Sequence, residues 1–161
     1  MYMFYDSLKT LNSTAPGTIA TKFVELRANL SRYEPQQFIV PQIGVSFTSN
    51  DSGYGDDVAA GLYDNGIQAL GRALLYLGRP VLLRLGYEFN GGSWNGYKPA
   101  SYRAAWARVV PTLRSMGVNE TAFVWDATCD FKLDRPSNES AFYPGNSLVD
   151  WWGVNIFSGG S

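Results

Sequence analysis

Five apolar, strand-like runs alternate with amphipathic segments along the chain, and this alternation constrains the fold more than any other feature. The runs are YMFYDSL (2–8), FIVPQIGVSF (38–47), PVLLRLGYEF (80–89), TAFVWDAT (121–128) and VDWWGVNIF (149–157). Between the first two, Ile19, Phe23, Leu26 and Leu30 recur at spacings of 4, 3 and 4, which places them on one helical face. Leu70, Leu74 and Leu77 form a second such face, stopped by Gly78 and Pro80. Ser101 is positioned to cap a third helix carrying Tyr102, Trp106, Val109 and Leu113, with Gly117 as its stop and Pro111 as an expected kink. Strands separated by helices predict βα units and a parallel sheet. With 161 residues and no linker, repeat or low-complexity block, one domain over 1–161 is expected.

Strand parity separates two α/β architectures. Successive side chains point to opposite faces, so Val81, Leu83, Leu85 and Tyr87 share one face and Leu82, Arg84, Gly86 and Glu88 the other. An open doubly wound sheet is apolar on both faces. A (β/α) barrel instead turns one face of each strand inward and keeps its chemistry at the C-terminal mouth. The charged set fits the barrel, so the predicted fold class is α/β, a TIM-type (β/α) barrel with parallel strands. In the last run Trp151, Gly153, Asn155 and Phe157 share the inward parity, and Val154 and Ile156 face the helices. In FVWDAT, Trp125 and Asp126 have opposite parity, and either fits the inner face.

Composition removes several function classes. There is no histidine, which excludes histidine zinc sites, histidine triads and histidine pH switches within the chain. A net charge of −1 without basic or acidic runs argues against nucleic acid as partner. No apolar stretch approaches the roughly 20 residues that span a bilayer, so no membrane insertion is expected. MYMFYDSLK lacks the charged head and cleavage site of a signal peptide. Cys129 is the single cysteine; a small buried thiol and a link to a partner in a longer chain both fit it. The aspartates of DSGYGDD (51–57) do not have calcium-loop spacing, and Asp56 and Asp57 suit the start of a following helix. NGGSWNG (90–96) lacks the lysine of a nucleotide loop, so neither metal nor cofactor is expected. Five N-glycosylation acceptors, at Asn12, Asn29, Asn50, Asn119 and Asn138, exceed chance and point to a secreted glycoprotein.

Four blocks then carry a resemblance. RLGYEFNGGSWNGY, YRAAWARVV, FVWD and YPGNSLVDWWGVNIFS, in this order, resemble the glycoside hydrolase family 26 type of (β/α)8 barrel, which includes β-mannanases. The resemblance is clearest over 80–158. It implies that Glu88, at the end of barrel strand 4, is the general acid/base, with Asn90, Gly91 and Trp94 behind it and Arg84 upstream. Trp125 matches the strand-5 tryptophan, and Tyr143 through Gly153 the block leading into strand 6. The chain departs from the pattern at Tyr87 (for histidine), Asn155 (for aspartate) and Phe157 (for tyrosine). The five runs then read as strands 2–6, and the family's nucleophile, a glutamate at the end of strand 7, is expected outside the chain. Complete barrels of this type run to about 250 residues.

Retaining glycosidases need two carboxyl groups roughly 5–5.5 Å apart. By the resemblance, Glu88 is catalytic, and Arg84, Tyr87, Asn90, Trp94, Trp125, Tyr143 and Asn155 surround a carbohydrate. Asp126 and Asp130 follow strand 5 as other carboxylates, and Asp150 lies at the wrong end of its strand. The plain alternative for Glu88 is a strand-end carboxylate paired with Arg84, and for the aromatics it is core packing. Two functions follow. One is a glycosidase domain for a β-linked polysaccharide of the mannan or glucan class. The other is a silent extracellular structural or carbohydrate-binding domain. In either case strands 2 and 6 are open edges, expected to be covered by further barrel segments or protein chains.

Overall fold

The computed structural model describes residues 3–33, 38–47, 55–92, 95–129 and 138–156. Five strands form one sheet: β1 (Met3–Ser7), β2 (Gln42–Ser46), β3 (Val81–Leu85), β4 (Thr121–Thr128) and β5 (Trp151–Asn155). Helices α1 (Leu8–Asn12) and α2 (Thr21–Tyr33) follow β1, and α3 (Asp56–Ala59) and α4 (Asp64–Leu77) follow β2. Helix α5 (Pro99–Ser115) follows β3, and a 3₁₀ turn (Glu139–Phe142) precedes β5. All neighbouring strands are parallel, and their spatial order is their order in sequence. The winding never reverses, as it would in a doubly wound sheet. It is the winding of a (β/α) barrel wall.

The two faces differ in chemistry. The helix-side face carries Ile43, Val45, Val81, Leu83, Leu85 and Phe123, all buried. The helices lay their stripes on it. Phe23, Leu26 and Leu30 of α2 are buried, as are Leu70, Leu74 and Leu77 of α4 and Tyr102, Trp106, Val109 and Leu113 of α5. Phe4 of β1 meets Phe23 of α2 edge-on at 5.0 Å. On the opposite face the register aligns Tyr5, Gly44, Arg84, Val124 and Trp151 in one row. Tyr5 is 44% exposed there and Trp151 64%. This is the inner face that strand parity predicts.

Several boundaries differ from the sequence reading, each for a local reason. Strand β1 stops at Ser7, whose hydroxyl accepts the Thr10 amide as the N-cap of α1, so Leu8 is helical. Strand β2 starts only at Gln42, after Pro41, which has no amide to donate. Helix α5 starts at Pro99, a favoured first-turn residue, and Ser101 lies inside it rather than capping it. That helix continues through Pro111 to Ser115. Ile19 lies ahead of α2 and packs on the core from the connecting segment.

The end of β3 carries the most consequential correction. The strand runs only to Leu85, because Gly86 adopts a left-handed conformation (φ 57°). A Cβ at Gly86 would lie 2.8 Å from both Phe47 Cε2 and Tyr102 Cε2, so this position faces the helix layer and not the interior. The Tyr102 hydroxyl donates toward the carbonyls of Leu85 (3.3 Å) and Gly86 (3.2 Å). The simple alternation ends there. Tyr87, expected against the helices, turns instead to the inner side, where its ring meets Tyr5 edge-on at 5.3 Å.

Candidate active site

The inner-face residues converge at the C-terminal ends of β3, β4 and β5. Arg84 is fully buried, and its Nη2 donates to Asp126 Oδ2 at 2.7 Å. Its Nη1 donates to the Tyr5 hydroxyl at 3.2 Å, and its guanidinium lies 5.4 Å from the Tyr87 ring centre. Burial opposes the Arg84 charge, but the hydrogen bond and charge of Asp126, with Tyr5, outweigh it and hold the proton more firmly than usual. The same Nη2 is 3.9 Å from Glu88 Oε1. Arg84's close partner is therefore Asp126, and the pairing with Glu88 named as the plain alternative is the longer contact.

Glu88 is 7% exposed and has φ 53°, the one non-glycine residue with positive φ among the described residues. Such a conformation is uncommon for a glutamate and needs support from its surroundings. The support is visible. Its amide donates to Asp126 Oδ2 (3.2 Å), and its carbonyl accepts from Asn95 Nδ2 and from the Gly91 amide. Its carboxyl accepts from Asn155 Nδ2 at 2.5 Å, a bond that reaches across β4 from the loop after β3 to the end of β5. Burial pushes the carboxyl above the usual carboxylate range. The Asn155 hydrogen bond and the Arg84 charge pull it back, and the Asp126 charge adds to the rise. A carboxyl raised in this way is suited to carry a proton for a leaving group.

The remaining residues divide by location. Asn90 is buried, donating to Thr128 O (3.1 Å) and Glu139 Oε1 (2.7 Å) and accepting from the Thr128 amide (2.7 Å). It fastens the loop after β3 to the end of β4. Tyr87 borders the site beside Arg84, and burial raises its hydroxyl pKa, with Glu88 and Tyr5 adding and Arg84 opposing. Trp125 is not brought to this face. Its register partner is Trp152, and its ring stacks on Phe89 at 4.4 Å and meets Tyr143 edge-on at 5.0 Å. The question left open by parity is settled for Asp126, which faces inward, with Trp125 and Tyr143 in an aromatic cluster on the other side. Trp94, Asn50, Asp130 and Phe157 lie outside the described residues.

Among the glycosylation acceptors, Asn119 and Asn138 are exposed, and Asn138 Oδ1 meets Ser140 Oγ of its own acceptor at 2.7 Å. Asn29 sits half-buried within α2. Asn12 is half-buried in the α1–α4 seam, where its side chain accepts the Gly66 amide at 2.9 Å.

Sequence reasoning missed the role of Asp126. The available signal was a lone arginine on an inner strand face, which requires a buried carboxylate on a neighbouring strand. The roles of Tyr5 and Asn95 had no comparable signal, because each follows from the tertiary path of a loop or a register.

No protein-family model matches the chain. It is similar to a β-1,3-xylanase from an Alcaligenes species and to another from a Vibrio species, 31% identical to each over 117 residues. The match covers 72% of this chain and 24% of each xylanase, so the chain spans about a quarter of their length. In structure it resembles a GH26 β-mannanase from Bacteroides ovatus, with TM-score 0.71 and 18% identity over 97% of this chain and 52% of the mannanase. It also resembles the GH26 domain of an endo-β-mannanase/endo-β-glucanase from Prevotella bryantii, with TM-score 0.64 and 11% identity over 94% and 58% of the two chains. Among the described residues no helix is long and apolar enough to cross a membrane. In fold, the chain matches about half of the barrel chains of these two GH26 structures, with five parallel strands in sequence order alternating with helices as in a (β/α) barrel wall.

Proposed function

We propose that the chain supplies the acid/base half of a retaining glycosidase site for a β-linked polysaccharide of the mannan, glucan or β-1,3-xylan class. The observation that carries this reading is Glu88, buried at the C-terminal end of β3 with its carboxyl pushed toward the protonated form and oriented by Asn155. In the proposed reaction Glu88 protonates the glycosidic oxygen as the bond to the anomeric carbon breaks. A carboxylate from outside the chain forms the new bond to that carbon, and Glu88 then takes a proton from the attacking water. The names of the xylanase and mannanase relatives support the substrate class. The exposed glycosylation acceptors Asn119 and Asn138 support a secreted glycoprotein.

The second reading, a silent extracellular binding or structural domain, is favoured by one observation. Asp126, the inner-face carboxylate beside Glu88 among the described residues, has its Oδ2 taken by Arg84 and by the Glu88 amide, so it is held as the arginine's partner and not presented as a second catalytic carboxylate. Reducing-end assays on β-1,3-xylan, β-mannan and β-glucan oligosaccharides, with and without formate as an external nucleophile, distinguish the two. Formate-dependent bond cleavage that falls about 10²–10⁴-fold in Glu88→Gln supports the acid/base assignment. Equal background rates in the wild type and Glu88→Gln support the silent domain.

A further inference from the structure

Asp126 makes three contacts with Arg84, Glu88 and Phe89, the segment that carries the Glu88 carboxyl. Its Oδ2 accepts Arg84 Nη2 (2.7 Å) and the Glu88 amide (3.2 Å), while its main-chain carbonyl accepts the Phe89 amide (3.2 Å). Two consecutive amides of the loop after β3 are thus held by one residue of the neighbouring strand. These are the amides on either side of the Glu88 side chain, at the point where the backbone is left-handed. The position of Asp126 is itself fixed. It is buried, and its register partner is Gly153, where a Cβ would stand 2.7 Å from Asp126 Oδ1. A glycine opposite the carboxylate leaves the room it needs.

The second consequence concerns Arg84. Its Nη2 has two carboxylates within reach, Asp126 at 2.7 Å and Glu88 at 3.9 Å. A buried guanidinium pairs with whichever carboxylate is placed for it. With Asp126 present, the arginine hydrogen-bonds to Asp126 and stands beyond hydrogen-bond distance of Glu88.

We propose that Asp126 is the positioning residue of this site: it clamps the Glu88–Phe89 backbone and holds Arg84 by a hydrogen bond, so that Arg84 stays 3.9 Å from the Glu88 carboxyl instead of hydrogen-bonding to it. This rests on the reading of Glu88 as the proton-carrying group and adds to it the device that keeps the group available. Among the described residues, the charged and titratable groups around Glu88 are Arg84 and Tyr87 from its own segment and Asp126 from β4, with neutral Asn155 from β5, while Tyr5 of β1 hydrogen-bonds to Arg84. Removal of the Asp126 charge leaves Arg84 with Glu88 as its remaining carboxylate neighbour in this group.

The test reads Glu88 directly and needs no turnover, so an inactive chain still decides it. The full chain, labelled with ¹³C at the glutamate carboxyl carbon, is titrated by NMR, with Glu88→Gln identifying the resonance. Asp126→Asn is expected to lower the Glu88 midpoint by about one unit or more, the effect of an opposite charge moving into contact. In an Arg84→Met background the same substitution is expected to shift it by less than half as much. Equal midpoints in wild type and Asp126→Asn, or equal shifts in both backgrounds, overturn the proposal. Where a variant fails to fold by circular dichroism, hydrogen exchange of the wild-type Glu88 and Phe89 amides decides. Slow exchange supports the clamp, and exchange at the rate of an open loop overturns it.

Discussion

Glu88 occupies a cluster that is charge-balanced only when it is neutral, because Arg84 is already matched by Asp126. This sets its contribution to stability. Its folded pKa is raised, chiefly by burial, above the reference value of 4.5, so the folded state binds this proton more tightly than the unfolded chain does. The contribution is full below that reference value and is lost as pH rises through the folded value. Glu88→Gln cannot ionise and keeps an acceptor for Asn155. It is therefore expected to be more stable than the wild type near pH 7, with the difference closing below about pH 4. Urea unfolding at the two pH values measures this. A variant less stable than the wild type near pH 7 would mean that the ionised carboxylate helps to hold the site together. At this scale parity placed Arg84 on the inner face, and motif singled out Glu88, which lies beyond the point where alternation ends. The sequence did not show the left-handed backbone at Glu88, which arises from amides captured by a residue 38 positions away.

The elements explain why the site opens where it does. Strand β3 ends at Gly86 because the chain must take a positive φ while passing between Phe47 and Tyr102. Left-handed backbone disfavours a side chain by roughly 1–2 kcal/mol, and forcing a methyl into packed surroundings costs about 1–3 kcal/mol more. Gly86→Ala is expected to destabilise the chain by about 2–5 kcal/mol, read as a lower urea midpoint with unchanged slope. A loss under about 0.5 kcal/mol, the usual range of surface substitutions, would show that the turn adapts freely. Helix stripes and strand cores were legible from periodicity, since both follow from local geometry. The ends of β1, β2 and β3 were not, because a serine cap, a missing proline amide and a glycine turn override apolar character. The inward Tyr87 has the same origin: parity holds only while the backbone stays extended.

Across the whole molecule, β1 and β5 form the edges of the described sheet. No helix follows β5 among the described residues, and on its outer side Trp152 is 71% exposed, Val154 57% and Ile156 77%. Unpaired strand edges beside exposed apolar side chains favour association. We propose that further barrel segments or another chain cover them. The chain alone is then expected to self-associate with rising concentration in analytical ultracentrifugation, and Trp152→Lys with Val154→Lys to weaken that association. A monomer at all concentrations for both proteins would remove the proposal.

The sequence by itself determined the alternation of strands and helices, the faces that β3 and β5 turn inward and the glutamate just past the end of β3, because these follow from residue type and spacing along one stretch of chain. The tertiary structure decided that Asp126 and not Glu88 is the close partner of Arg84, that Trp125 packs away from the site, and that Asn155 reaches the Glu88 carboxyl. Each of these contacts joins different strands, and its distance is set by sheet register and by the path of the loop after Gly86.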